Sequence, residues 1–127
     1  MSSSDPYRIE VVAIAEYIEA QSRPDDDHHV FAYHITIHNT GSRPARLLSR
    51  HWIITDAHGR IKEVRGEGVI GEQPLLAPGE HFSYTSGCEL ATEVGTMQGS
   101  YRMQASDGHL FDADIPPFVL AMPRVLH

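Results

Sequence analysis

Apolar and polar side chains alternate without interruption between Val30 and Asn39, and this alternation constrains the fold more than any other feature of the chain. The two alternating sets are Phe31, Tyr33, Ile35 and Ile37 against Ala32, His34, Thr36 and His38. Successive side chains of a β-strand point to opposite faces, whereas helical side chains recur every 3.6 residues or about that. The segment is therefore predicted to be a strand with one buried face.

Further segments are rich in β-branched and aromatic residues and are separated by Gly, Pro, Asn and Asp, which favour turns. They are Tyr7–Ala20, Ala45–Asp56, Arg60–Arg65, Glu80–Cys88, Thr96–Ala105 and His109–Ile115. Val11–Ile14 is also compatible with the start of a short helix. About seven or eight antiparallel strands predict an all-β fold, a β-sandwich, with a small barrel as the alternative. Trp52 is expected to anchor the core between the two sheets.

The length of 127 residues suits one domain, so residues 1–127 are expected to form a single unit with a core over about 7–122. No apolar run reaches the roughly 18–20 residues that cross a bilayer, and the N-terminus lacks the features of a signal peptide. The only cysteine, Cys88, cannot form an internal disulfide, as is typical of a reducing compartment. A cytoplasmic protein with no membrane insertion is expected.

The net charge of −7 is unevenly distributed. The segment from Arg43 to Arg65 holds six basic residues against Asp56 and Glu63, whereas both flanks are acidic. An acidic chain with one basic segment is a poor ligand for duplex nucleic acid, because such binding depends on a basic surface that releases counterions. Cross-strand pairing with the acidic flanks is the favoured interpretation of these cations. A small anion or an acidic protein surface is the alternative.

The stretch Gly66–Gly71 satisfies G-x-G-x-x-G, the spacing of dinucleotide-binding loops. That motif works because its glycines bring a pyrophosphate to the N-terminus of a helix. Pro74, Pro78 and Gly79 follow at once and are incompatible with a packing helix. The favoured interpretation is a glycine-rich connection between strands, and no cofactor is expected. A weaker functional hypothesis is an anion nest formed by Gly66, Gly68 and Gly71, with Arg50 and Arg65 holding a phosphorylated small molecule.

Other candidate chemistry is sparse. Asp25, Asp26, Asp27 and His28 are the best candidates for weak metal binding, but a solvated acidic loop is the favoured interpretation because adjacent residues on an extended chain diverge. No nucleophile elbow or paired acid and base is present, and Cys88 resembles a buried apolar thiol. The sequence therefore predicts no catalytic residue and a protein that is not an enzyme, although catalytic residues distant in sequence would escape this test.

Several uncommon stretches occur in an order that closely resembles the ApaG family. They are Arg50–Asp56, Glu63–Pro74, Leu76–Glu80, Tyr84–Cys88 and Met97–Tyr101, so the resemblance spans roughly residues 7–122. It implies a fibronectin type III-like β-sandwich in a bacterial cytoplasmic protein. The resemblance also implies a link with cobalt and magnesium resistance, and it implies no established catalytic activity.

Two functional hypotheses remain from the sequence. The first is a non-enzymatic protein-interaction module that docks an unidentified protein partner, within divalent-cation homeostasis. The second is a binder of nucleotide, pyrophosphate or another phosphorylated ligand through Gly66–Gly71, Arg50 and Arg65. The sequence leaves a homodimer open, because a sandwich has unpaired edge strands.

Overall fold

The computed structural model describes residues 5–123, which form eight β-strands and two single turns of 3₁₀ helix. The strands are β1 Ile9–Tyr17, β2 His29–Asn39, β3 Ala45–Asp56, β4 Ile61–Glu67, β5 Leu75–Leu76, β6 His81–Leu90, β7 Val94–Ala105 and β8 Leu110–Ala121. The 3₁₀ turns are Glu19–Gln21 and Pro24–Asp26. No helix of residues 5–123 is long and apolar enough to cross a membrane.

The strands form two antiparallel sheets that pack face to face. The smaller sheet has the order β1-β2-β6, and the larger has the order β4-β3-β7-β8. The short strand β5 also pairs with β3. It lies on the same side of β3 as β4, because β7 pairs with the opposite side of β3. This architecture confirms the predicted fibronectin type III-like β-sandwich.

Strand β2 is the centre of the smaller sheet, and its predicted alternation is confirmed. Phe31, Tyr33, Ile35 and Ile37 are all buried, and the residues between them are only partly buried. The alternative of a helix at Val11–Ile14 is wrong, because β1 pairs with β2 along its whole length. The turn at Asp56–Gly59 joins the paired strands β3 and β4.

The core is organised around Trp52 of β3. Its side chain is 2% exposed and meets three aromatic rings at steep angles. The ring centroids lie 5.2 Å away for Tyr33, 6.3 Å for Tyr101 and 6.0 Å for Phe118. Because these rings come from β2, β7 and β8, the indole joins the two sheets.

Two features of the strands differ from the prediction. Strand β8 continues through Pro116 and Pro117 to Ala121, whereas the predicted strand ends at Ile115. The prolines are tolerated because β8 is an edge strand and because the pairing with β7 shifts register there. The two-residue strand β5 was not predicted, since two residues carry no periodicity.

Replacing Trp52 with alanine is expected to lower the free energy of unfolding by about 3–5 kcal/mol, because the cavity would lie between both sheets. Urea melts of the wild type and Trp52→Ala measure this loss. Val119→Ala is the control, since Val119 is 60% exposed and its truncation should change stability by about 0.5 kcal/mol or less. A loss of under about 1 kcal/mol for Trp52→Ala would contradict the central role of the indole.

Candidate functional site

The glycine-rich stretch forms a tight β-hairpin after β4. Val69 and Glu72 exchange backbone hydrogen bonds of 2.8 and 2.9 Å, and Ile70 and Gly71 between them have φ values of 43° and 78°. Two central residues with positive φ define a type I′ turn. The next regular element is β5, so the prediction that no helix follows Gly71 is confirmed. The arrangement that holds a dinucleotide pyrophosphate is therefore missing from this hairpin.

Several amides of the hairpin donate to the protein itself. The Gly68 amide donates to the carbonyl of Leu48 at 2.9 Å, in addition to the reciprocal pair at the turn. Gly68 has a φ of 61°, and a side chain there would collide with the carbonyl oxygen of Glu72. Within the anion nest predicted at Gly66–Gly71, these contacts occupy the amides of Gly68 and Val69.

Two arginines and a glutamine fasten the hairpin to β3. The Arg50 Nη1 atom donates to the carbonyls of Glu67 and Gly68 at 3.0 and 2.9 Å. The Arg46 guanidinium donates to the backbone carbonyl of Gln73 at 2.8 Å, and the side-chain amide of Gln73 donates to the backbone carbonyl of Leu48 at 2.9 Å. We call residues 66–76 the pinned segment, because these bonds hold it against the sheet edge.

A cavity of about 540 Å³ opens on the larger sheet and brings some of the predicted site residues together. We call it the outer cavity; it is lined by Ser49, Arg50, His51, Arg65, Gly66, Glu67, Ser100, Arg102 and Asp112. Arg50, Arg65 and Gly66 therefore line one cavity, whereas Gly68 and Gly71 lie outside it. Sequence reasoning missed His51 and Arg102. Only the register of β3 with β7 brings Arg102 to this place.

Arg65 and Arg102 of the outer cavity are exposed and lie beside carboxylates. The Arg102 Nε atom lies 2.8 Å from an Asp112 carboxylate oxygen, and the His51 Nε2 atom lies 2.7 Å from Glu63. Arg65 is the loosest, since its side chain is 72% exposed and lies 3.7 Å from Glu63. Exposed pairs of this kind contribute little to stability, so these side chains can turn toward an incoming anion at small cost.

The acidic loop at Asp25–Asp27 adopts a compact turn that belongs neither to the pinned segment nor to the outer cavity. Asp25 and Asp26 lie in a 3₁₀ turn, and Asp27 ends it with a φ of 53°. His28 pairs through Nε2 with Glu89 at 3.2 Å. Among residues 5–123 no group of three or more His, Cys, Asp or Glu side chains is placed to hold a metal ion. The structure therefore does not bring the predicted metal candidates to a common point.

A second cavity of about 510 Å³ lies between the edge strands β4 and β6, and sequence reasoning did not detect it. We call it the inter-sheet cleft; its walls include Tyr33, Arg50, Trp52, Ile54, Lys62, Val64, Ser86, Cys88, Glu89 and Met97. Burial raises the pKa of the Cys88 thiol to about 11, so the thiol is protonated at neutral pH. Cys88 is partly buried on the cleft wall, so the expectation of a buried apolar thiol holds only in part. No local pattern could have revealed the cleft, because the two edges are distant in sequence.

A tyrosine pair links the sheets near this cleft. The hydroxyl groups of Tyr84 on β6 and Tyr101 on β7 form a 2.5 Å hydrogen bond, and both side chains are buried. Burial raises the pKa of Tyr84 to about 12 and raises that of Tyr101 well above its usual range. The folded state therefore favours the neutral, protonated form of both phenol groups.

This tyrosine pair predicts a loss of stability in alkali. A folded-state pKa above the unfolded value means that the stability is complete below pH 10 and falls as pH rises toward 12. Urea melts from pH 8 to about 11.5 measure the change. The double variant Tyr84→Phe/Tyr101→Phe should lose stability less steeply above pH 10, because neither phenol remains to ionise. Equal slopes in both proteins would contradict this explanation.

The fold and the site define a small fibronectin type III-like β-sandwich domain with a glycine-rich hairpin pinned by arginines. The family model of the ApaG domain (DUF525) matches residues 19–105. The chain belongs to the ApaG domain family, which confirms the resemblance seen in the sequence.

Known relatives agree with this assignment over the full length. Protein ApaG of Azoarcus sp. (strain BH72) is 71% identical and Protein ApaG of Dechloromonas aromatica (strain RCB) is 58% identical, with 100% of both chains covered in each case. A crystal structure of an ApaA protein from Bordetella pertussis is 52% identical and has a TM-score of 0.93. It covers 97% of this chain and 100% of that chain.

Proposed function

We propose that this protein is a non-enzymatic interaction module that docks a protein partner through the pinned segment. The observation that carries the proposal is Ile70, which occupies the tip of the hairpin, is 58% exposed and has a φ of 43°. A β-branched residue at positive φ is a genuine outlier, because its side chain crowds the backbone there. Such strain costs about 1–3 kcal/mol and concentrates at functional positions.

The surroundings of Ile70 make it suited to binding. Arg46, Arg50 and Gln73 immobilise the pinned segment, so the isoleucine is presented in one orientation. Leu75 in the same segment is 54% exposed and adds apolar area. A rigid apolar anchor loses little conformational entropy on binding and typically fills a pocket on its partner. The expected partner is therefore a protein with an apolar pocket.

We further propose that this docking takes place in the cytoplasm and serves divalent-cation homeostasis. The resemblance seen in the sequence supports this location and role, since it implies a bacterial cytoplasmic protein with a link to cobalt and magnesium resistance. In this proposal the module acts through its partner, and the metal ions are handled elsewhere. The link is testable in cells independently of the identity of the partner.

The variant Ile70→Asn separates binding from folding. Asn-Gly is the preferred pair for a type I′ turn, so this variant should gain about 1 kcal/mol of stability in urea melts. It should also retain about tenfold less partner when the immobilised full chain is incubated with native lysate. Val119→Asn is the control, because it removes an equally exposed aliphatic side chain on β8.

The same variants should behave differently in cells. In a strain that lacks the gene, Ile70→Asn should fail to restore growth in cobalt, whereas Val119→Asn should restore it. Partner retention and complementation by Ile70→Asn at wild-type levels would overturn the proposal. The captured protein could also be a second copy of this chain. In that case light scattering should show a dimer for the wild type and a monomer for Ile70→Asn, and the partner would be the protein itself.

A second candidate function is the binding of a phosphorylated small molecule in the outer cavity. The observation that favours it is the convergence of Arg50, Arg65 and Gly66 with His51 and Arg102. Arginine forks suit phosphate oxygens, and the exposed Arg65 side chain is only loosely paired. In this version the side chains of the cavity, and not the hairpin amides, bind the anion.

Titration of the ¹⁵N-labelled protein with ATP, pyrophosphate and a diadenosine polyphosphate tests this candidate. The amides of Arg65 and Gly66 should shift, whereas that of Gly71 should not, because Gly71 lies outside the outer cavity. Arg65→Gln should weaken binding about tenfold, since a charge-assisted hydrogen bond is lost. Unchanged spectra at millimolar concentrations of all three ligands would remove this candidate.

A further inference from the structure

Arg50 brings a positive charge without a carboxylate partner to the inter-sheet cleft. Its side chain is half-buried, and its Nη1 atom donates to the backbone carbonyls of Glu67 and Gly68. No carboxylate of residues 5–123 forms a salt bridge with it, although eight such pairs occur elsewhere in this part of the chain. Charges removed from water are normally paired. Arg50 therefore brings a positive charge to the cleft that no carboxylate of the described residues offsets by a salt bridge.

Hydroxyl groups lie close to the same guanidinium. Tyr33 and Ser86 line the cleft with Arg50, and the bonded pair of Tyr84 and Tyr101 lies behind them. The positive charge of Arg50 partly offsets the rise that burial causes in the pKa of Tyr33 and of the bonded pair. Phenolic and serine hydroxyls can each donate a hydrogen bond to an oxyanion.

A further residue of the cleft wall has a polar group without a hydrogen-bond partner among the described residues. The indole Nε1 of Trp52, another residue of the cleft wall, is buried without an acceptor among residues 5–123. Buried donors of this kind usually have a partner. Lys62 adds a second positive charge that has no salt bridge within the described residues, and Glu89 is the one carboxylate among the residues that line the cleft. The charge of the cleft is therefore positive.

Most of the remaining wall residues are apolar, and Gln21 is the polar exception. Ile54, Trp52, Val64, Cys88 and Met97 supply aliphatic, aromatic and sulfur surface around the polar end. The volume of about 510 Å³ lies within the range of small-molecule sites, which are mostly apolar with a few polar groups that fix orientation. The cleft thus combines an oxyanion-binding end with room for an apolar body.

We propose that the inter-sheet cleft is a binding site for a small organic oxyanion with a flat apolar body, whose anionic group pairs with Arg50. The head is a carboxylate, sulfonate or phosphate monoester, and the body packs against Trp52 and Val64. This site shares Arg50 with the outer cavity but is otherwise lined by different residues. It is also distinct from Ile70, which lies at the hairpin tip.

The probe 1-anilinonaphthalene-8-sulfonate has this chemistry, and N-phenyl-1-naphthylamine is the same skeleton without the anionic group. Trp52 is the only tryptophan and lines the cleft, so energy transfer from its indole to the probe reports binding there. The sulfonate should bind at one site per chain and at least about tenfold more tightly than the neutral compound. Equal affinity for both compounds would overturn the proposal.

Variants then locate the site. Arg50→Gln should weaken sulfonate binding about tenfold or more, and Arg8→Gln should leave it unchanged because Arg8 is an exposed arginine of the opposite sheet edge. Arg50 also pins the hairpin, so a second variant is needed in case Arg50→Gln fails to fold. Ser86→Asp brings a carboxylate into the cleft to pair with Arg50, and it should abolish sulfonate binding while near-ultraviolet circular dichroism stays native.

Cys88 provides an independent readout. Since it is the only cysteine and lines the cleft, bound sulfonate should slow its reaction with iodoacetamide, whereas the neutral compound at equal concentration should not. Sulfonate affinity that survives both Arg50→Gln and Ser86→Asp would overturn the proposal. So would unchanged reactivity of Cys88 at saturating sulfonate.

Discussion

The contact between Arg50 and Gly66 shapes the pinned segment, the outer cavity and the inter-sheet cleft. A Cβ atom on residue 66 would lie 2.7 Å from the guanidinium, so the glycine leaves the space in which the arginine crosses β4 and reaches the carbonyls of Glu67 and Gly68. That crossing closes the hairpin against β3. It also places one cation where the outer cavity and the inter-sheet cleft meet.

The same contact explains how a dinucleotide-binding pattern serves a different purpose. In a nucleotide-binding loop the glycines leave their amides free at a helix terminus. Here Gly68 and its neighbours give their amides to the protein's own carbonyls, and Gly66 gives space to a side chain. The glycines therefore stiffen the segment. A stiff segment can hold Ile70 in a conformation that a flexible loop would abandon.

Local patterns predicted much of the sandwich. The alternation in β2 needs only the two-residue period of a strand, and Pro74 and Pro78 exclude a helix by their own covalent structure. Prediction from the sequence failed where pairing with a neighbouring strand determines the extent of a strand or the position of a side chain. Pro116 and Pro117 stay within β8 because an edge strand and a register shift spare them ladder bonds. Arg102 joins Arg65 only through the pairing of β7 with β3 and of β3 with β4.

The sequence by itself therefore determined the fold class, the strand positions near the core and the family, because these depend on periodicity, turn residues and order along the chain. Only the tertiary structure decided which charges are paired and which cavities exist. Arg50 and Arg65 look alike in the sequence, yet one is half-buried without a carboxylate and the other is exposed beside Glu63. That difference arises from strand register and sheet packing, which join residues that no local pattern connects.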